Sequence, residues 1–188
     1  MLIQSIQEKA DEIIALFQKH GGDAYYGEPV TQLQHACQAA TWARTEGYAD
    51  DIQLAAFLHD IGHLIADAEP MMDLGVMNHE QVGADWLRSM GFSEKVCKLI
   101  GAHVDAKRYL TYAHTNYYNN LSEASKKTLE YQGGRMSIAE ALRFEDDPLF
   151  NLYIRMRLWD EAAKDPSVSP MDLSVFREKI VQHLSIGN

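Results

Sequence analysis

The stretch Ala55-Ala56-Phe57-Leu58-His59-Asp60-Ile61-Gly62-His63 constrains this chain more than any other. Its apolar run predicts a buried helix, yet it carries three polar side chains where an ordinary core helix carries none. An ionised aspartate buried beside imidazoles is costly unless a cation or full hydrogen bonding compensates. A helix over residues 51–64 sets His59 and Asp60 about 100° apart, with Asp60 leaning across, and puts His63 one turn beyond His59 on the same face. Taken alone, the His-Asp pair is equally compatible with a capped or hydrogen-bonded helix pair. The rest of the chain decides between the two.

That remainder is helical in pattern. Leu2, Ile3, Ile6, Ile13, Ile14 and Phe17 fall mainly at helical spacing before Gly21-Gly22, which predicts an amphipathic helix over residues 2–20. After the polar loop 23–28, Pro29 suits the first turn of a helix that runs to about Glu46, carries His35 and stops at Gly47. A looser stretch through Pro70 and Gly75 leads to Asn78, an N-cap for a helix from His79 to Met90 closed by Gly91. Ser93 opens another helix, through Val96, Leu99 and Ile100, carrying His103 and Lys107. Residues 109–120, rich in Tyr and Asn, are expected to form a structured loop, and residues 121–132 a helix before Gly133-Gly134. Ser137-Ile138-Ala139-Glu140 is a capping box. Asp147-Pro148 starts the helix that carries Arg157, Trp159 and Asp160, and Ser169-Pro170 begins the last one. No strand pair, repeat or linker interrupts this pattern. The 188 residues therefore predict an all-α, compact multi-helix fold as a single domain, 1–188, large enough for a real core.

His35, His59, Asp60, His79, His103 and Asp160 each lie on or at the end of a predicted helix among apolar neighbours. Imidazoles and carboxylates converging from separate helices are how bundles build metal sites in their cores. A set of nitrogen and oxygen donors without sulfur disfavours a structural zinc cluster and suits iron, manganese or a similar divalent ion. Six protein ligands exceed the needs of one catalytic metal, whereas two metals sharing a carboxylate account for all six. Composition narrows the partners. With 17 basic against 27 acidic residues, a net charge of −10 and a pI near 5.2, the chain lacks the basic surface that nucleic acids or anionic membranes require. Cys37 and Cys97 are too few for a disulfide framework or a cysteine metal motif, and free thiols fit a reducing cytoplasm. Charges at Glu8, Lys9, Asp11 and Glu12 are incompatible with a signal-peptide core, and no stretch approaches the ~18 apolar residues of a membrane span.

With these residues in view, the sequence resembles the HD-domain superfamily of metal-dependent proteins, whose pattern of a His, a His-Asp pair and a distant Asp matches His35, His59-Asp60 and Asp160. His79 and His103 are similar to the extra histidines of binuclear members. The resemblance implies one metal on His35, His59 and Asp160, another on His79 and His103, and Asp60 bridging them. More narrowly, the chain looks like the small phosphonate-cleaving oxygenase branch. The matches are Tyr25-Tyr26-Gly27-Glu28, Gln32-Leu33-Gln34-His35, the run from His59 to His63, Lys107 four residues after His103, and Arg157 three before Asp160.

That branch implies two iron ions, Fe(II)/Fe(III), and a loop tyrosine and glutamate that close the site until substrate displaces them. Tyr25, as a further iron ligand, and Glu28 match those positions, with Tyr26 a competing neighbour. Lys107 and Arg157 would supply local positive charge for a phosphonate. His63 would donate to its oxygen or hydroxyl, and Ser125, or else Ser122, would add a hydroxyl. Glu28 would meet a substrate amine. The implied reaction uses O2 to cleave the C–P bond of a 1-hydroxy-2-aminoethylphosphonate, or an N-methylated analogue, to phosphate and an amino acid such as glycine or a betaine. A competing reading is an HD-type phosphohydrolase acting on a nucleotide or small phosphate ester, with metals activating water. A non-catalytic sensing module is a third, whose sign would be degraded ligands; none of the six is missing. Gly62 suits either close ligand approach or helix packing. The tyrosines of 109–118 suit either a cage for a cation or a core loop. His20, His114 and His183 are expected at the surface.

Overall fold

A computed structural model describes residues 4–65 and 76–186. Leu2 and Ile3 of the expected first helix, and the looser stretch at Pro70 and Gly75, lie outside the described residues. Among those residues every regular element is a helix, and an isolated β-bridge joins Ala24 and Thr31. The all-α expectation holds.

Capping chemistry sets the first boundaries. α1 (Ile6–His20) starts at Ser5, whose hydroxyl accepts from Glu8 N–H while the Glu8 carboxylate accepts from Ser5 N–H. α2 (Gln32–Thr45) starts at Thr31, not at Pro29, because Thr31 and Gln34 form the same reciprocal pair. The segment before it is a closed loop. Tyr25 N–H donates to Val30 O at 2.9 Å and Gln32 N–H to Asp23 O at 3.0 Å, and Gly27 turns it with φ +74.

α3 (Asp50–Leu58) is the central element, buried from Ile52 to Leu58 and packed on α2. The expected helix over 51–64 breaks at its end. His59 is the C-cap, Asp60 turns the chain at φ −102, ψ 11, and Ile61–His63 form a single 3-10 turn. α4 (His79–Met90) follows, preceded by Asn78 in the left-handed region. Asn78 makes no side-chain cap bond, contrary to its expected capping role. The expected helix from Ser93 through Lys107 is two helices, α5 (Glu94–Gly101) and α6 (His103–Ala113), broken at Ala102. The expected loop over 109–120 is instead helical: it completes α6 and adds α7 (Thr115–Asn120).

α8 (Glu123–Tyr131) and α9 (Ile138–Glu145) carry Ser caps, the latter with the predicted capping box. α10 (Phe150–Ala162) begins later than Pro148, after Asp147 Oδ1 accepts from Leu149 N–H. α11 (Leu173–Ile186) begins beyond Pro170, where Asp172 Oδ1 accepts from Ser174 N–H.

Phe57 of α3 stacks on Phe176 of α11 at 3.7 Å between ring centres and meets Phe17 of α1 at 4.4 Å. These rings seal the core behind α3, and α1 packs along α11. The polar end of α3 faces the other way, toward α4, α6 and α10. Cys37 and Cys97 are free and buried. None of the described helices is long and apolar enough to cross a membrane.

Candidate metal centre

Three of the four expected histidine ligands sit where a helix begins or ends, and each ring folds back onto the carbonyl three residues earlier. His59 Nδ1 lies 2.8 Å from Ala56 O and His103 Nδ1 2.8 Å from Ile100 O. His79 Nδ1 lies 3.3 Å from Val76 O and 3.5 Å from Glu80 Oε2. Helix ends leave carbonyls without intrahelical partners, and His59 and His103 each supply one with an N–H, whereas the Val76 carbonyl lies ahead of α4. His35, in the first turn of α2, reaches Ala163 O beyond α10 at 2.9 Å. With Nδ1 donating in every case, each Nε2 is left as a lone pair aimed inward.

Those four nitrogens form two pairs. His35 and His59 Nε2 are 3.1 Å apart, as are His79 and His103 Nε2. Two bare lone pairs repel at that separation, so a cation, proton or metal, belongs between them. A metal ion removes the repulsion, since imidazole ligands at ~2.1 Å and right angles lie ~3 Å apart.

Asp60 stands between the pairs. Its Oδ2 faces His35 and His59 at 3.6 and 3.4 Å, and its Oδ1 faces His79 and His103 at 3.2 and 3.4 Å. Asp160 Oδ1 completes the first group, 3.4 Å from His35 Nε2, while its Oδ2 pairs with Arg157. All six side chains are buried, and they divide into His35–His59–Asp160 and Asp60–His79–His103. Asp60 Oδ2 is buried without a hydrogen-bond partner. An orphaned carboxylate oxygen facing two imidazole lone pairs is what a cation-binding cluster leaves when hydrogen bonds are not its purpose. The residues fit two metal ions with Asp60 bridging.

The electrostatics agree. Burial opposes ionisation of Asp60, but His59 and the imidazoles of His103 and His79 hold its carboxyl well below the usual range. Burial likewise opposes a charge on His59, and the Asp60 carboxylate overrides it, lifting His59 to about 9, so that without a metal a proton takes the place on Nε2 that a metal ion would hold. The cluster attracts positive charge.

A cavity lined by Tyr25, Glu28, His63, Lys107, Ser125 and Arg157 opens over the cluster. Tyr25 stacks on His35 at 3.9 Å and 15°, and burial together with the Asp60 and Asp160 charges pushes its phenol well above the usual value. Tyr26 meets His63 edge-on at 5.0 Å. The two loop tyrosines therefore differ in aim, Tyr25 toward the cluster and Tyr26 toward the 3-10 turn.

His63 does not share a helix face with His59, because the chain turns between them. It stacks on His79 at 3.9 Å and accepts Val76 N–H at Nδ1, so a neutral ring carries its proton on Nε2 as a donor. Lys107 is buried and donates to Thr128 Oγ1 at 2.9 Å; burial and the nearby Arg157 charge lower it to about 7. The Arg157 guanidinium, expected to supply positive charge to a phosphonate, is already engaged by three partners. Nε donates to Tyr117 OH at 2.8 Å, and Nη1 and Nη2 pair with Asp160 and Glu161. Two of its five N–H groups remain for a ligand.

Ser125 lines the cavity, whereas Ser122 caps α8 and donates to Glu28 Oε1 at 2.6 Å. Glu28 also lines the cavity and takes an ion pair from Lys164 at 2.9 Å. Gly62 packs: a Cβ there would overlap the His79 carbonyl of α4. None of the tyrosines of 109–118 lines the cavity. Tyr109 packs on Phe144 and Phe150, and Tyr117 holds Arg157. His183 is half-buried and accepts Ser93 N–H at 3.1 Å, so it is not a plain surface residue.

The HD domain family matches residues 32–143, a span that holds five of the six clustered ligands and ends before Asp160. This chain belongs to the HD-domain family. An uncharacterized protein of Acanthamoeba polyphaga mimivirus is 44% identical over 97% of this chain and 85% of its own length. A hydroxymethylphosphonate dioxygenase of Gimesia maris is 38% identical over 92% of this chain and 87% of its own length. A [1-hydroxy-2-(trimethylamino)ethyl]phosphonate dioxygenase (glycine-betaine-forming) of Leisingera caerulea is 38% identical over 84% of this chain and 81% of its own length. The chain falls in the oxygenase branch of the HD-domain family and is an enzyme.

Sequence reasoning missed four residues around this site. Thr128 and Gln132 line the cavity from α8 and its C-cap, and Gln132 Oε1 is buried without a partner among the described residues. Tyr117 and Lys164 stand behind Arg157 and Glu28. The i, i+3 spacing of Ser125 and Thr128 put both on one helix face and was the one available signal for Thr128.

Proposed function

We propose that this enzyme uses two iron ions, Fe(II)/Fe(III), and O2 to cleave the C–P bond of a 1-hydroxyphosphonate that carries a 2-amino group or its N-methylated form. The observation that carries this reading is the Asp60 carboxylate, with one oxygen toward each histidine pair and the open side of the cluster facing a cavity lined by cations and a phenol. His35, His59 and Asp160 would hold one iron, His79 and His103 the other, and Asp60 both. The irons supply redox chemistry and Lewis acidity toward the substrate oxygens. The relatives named for an activity support the substrate class, because both names specify a phosphonate bearing a 1-hydroxyl.

The chain's own side chains do the rest. Lys107 and the unused donors of Arg157 hold the phosphonate oxygens, with Ser125 adding a hydroxyl. His63 Nε2–H donates to the 1-hydroxyl or a phosphonate oxygen, its tautomer set by Val76 N–H. Tyr25 covers the cluster and leaves as the substrate enters. Glu28, on the cavity wall, faces the substrate amine. For the amino substrate the products are phosphate and glycine, and both atoms of O2 are accounted for in them.

Metal analysis with electron paramagnetic resonance of the purified protein tests the reading. A coupled Fe(II)/Fe(III) signal, with O2-dependent phosphate release from 2-amino-1-hydroxyethylphosphonate, is the expected result. Bound manganese or magnesium, with hydrolysis of phosphate esters and no O2 consumption, would replace the oxygenase by a phosphohydrolase.

A further inference from the structure

The carboxylate best placed to meet a substrate cation already has one. Glu28 lines the cavity, and Lys164 Nζ reaches its Oε1 at 2.9 Å from the segment beyond α10. Ser122 Oγ donates to the same oxygen at 2.6 Å. Lys164 does not line the cavity itself. It stands behind Glu28, with Glu161 Oε1 at 3.7 Å as its second anion, and Glu161 is committed to Arg157. The side chains of Glu28 and Lys164 are only 10% and 18% exposed, so solvent screens this pair less than it screens a surface pair. A cation arriving at Glu28 from the cavity therefore meets a carboxylate whose charge is shared, and a like charge one carboxylate away.

We propose that Lys164 is a specificity-determining residue that sets, through Glu28, how strongly the site discriminates between 1-hydroxyphosphonates with and without a cationic amine. The inference rests on the substrate reading given above. Lys164 weakens the pull of Glu28 on an ammonium group and leaves the binding of a phosphonate that has an apolar group in its place nearly unaffected. An uncharged side chain at 164 frees the full carboxylate charge for the substrate. Like charges separated by a few ångströms in a partly buried site repel strongly enough to change relative affinity by about tenfold. Ser122, a neutral donor on the same oxygen, fixes where the carboxylate points without changing the charge it presents.

The test compares 2-amino-1-hydroxyethylphosphonate with 1-hydroxypropylphosphonate, which replaces the ammonium by a methyl group. Both are titrated without O2 by calorimetry and assayed with O2 for phosphate release, using the iron-loaded full chain. Lys164→Met should raise the ratio of affinities, cation over isostere, by about tenfold. The change should lie in Kd and KM, and kcat should move little, because Lys164 touches no reacting atom. Lys164→Arg should keep the native ratio, and Ser122→Ala should leave it within about twofold even where both affinities fall.

An unchanged ratio in Lys164→Met overturns the inference. So does an equal shift in Ser122→Ala, which would mean that loop position, not charge, is what Lys164 supplies. If the native protein binds neither phosphonate, the substrate reading fails and takes the inference with it. Failure of the inference alone is distinct, because both compounds are then bound and converted at a ratio that the charge at 164 does not move.

Discussion

Asp60 is the residue on which the site depends most, because it is the one side chain that faces both histidine pairs. Asp60→Ala should lose both metals, and retention of two irons per chain would show that the bridge is wrongly assigned. Tyr25 and Tyr26 share a loop and differ in aim, one stacked on His35 and the other edge-on to His63. If Tyr25 ligates the Fe(III) of the resting enzyme, visible phenolate absorption should be present and should disappear on adding substrate. Tyr25→Phe should remove that band with little loss of iron, and Tyr26→Phe should retain it; the reverse pattern would exchange their roles. Lys107 adds a pH dependence. Its amine is lowered to about 7, so its positive charge is present below that pH and lost as pH rises through it. KM for the phosphonate should therefore climb from pH 7 to 8.5, and Lys107→Arg, charged throughout, should flatten the climb. A KM that rises equally in both proteins would remove Lys107 from phosphonate binding.

At the scale of elements, the decisive features are two breaks that put ligands at helix ends. Periodicity reads straight through both, since residues 51–64 and 93–107 contain no proline and no stop beyond glycines that helices tolerate. What breaks them is tertiary: His59 and His103 cap the carbonyls of Ala56 and Ile100 while their other nitrogens serve the cluster. The ligand set was legible because buried histidines and aspartates need partners whatever the backbone does. Their aim was not, and neither was Lys164, which lies in a short polar link where a lysine carries no pattern. The 3-10 turn depends on Gly62, whose missing side chain lets it lie against the start of α4. A Cβ at Gly62 would stand 2.7 Å from the His79 carbonyl carbon as well as overlapping its oxygen. Gly62→Ala should thus displace His79 and cost about 1–3 kcal/mol through overpacking. Metal should be lost first from the His79–His103 side, leaving about one iron per chain. Two irons and a native melting temperature in that variant would mean that the turn is not what aims His79.

At the scale of the molecule, the six ligands come from α2, the α3 end and its following turn, the start of α4, the start of α6, and α10. These elements enclose one core with α1 and α11 packed behind it. Metal ions held between them would tie together segments far apart in sequence, and the unfolded chain offers no such constellation. Ions that bind the native state alone stabilise it by mass action, about 4 kcal/mol at a thousandfold excess over Kd. For a chain of this size each kcal/mol shifts the melting temperature by about 2–4 °C. Chelation of the loaded protein should therefore lower the melting temperature by roughly 10 °C. It should do so as one transition followed alike by helical circular dichroism and by tryptophan fluorescence, because Trp42, Trp86 and Trp159 lie on α2, α4 and α10. A single shifted transition supports one cooperative domain built around the metal centre. Two transitions, only one of them sensitive to chelation, would divide the chain into units and confine the metals to one of them. No shift at all would mean that the cluster is held by packing alone, with no linkage between metal binding and folding.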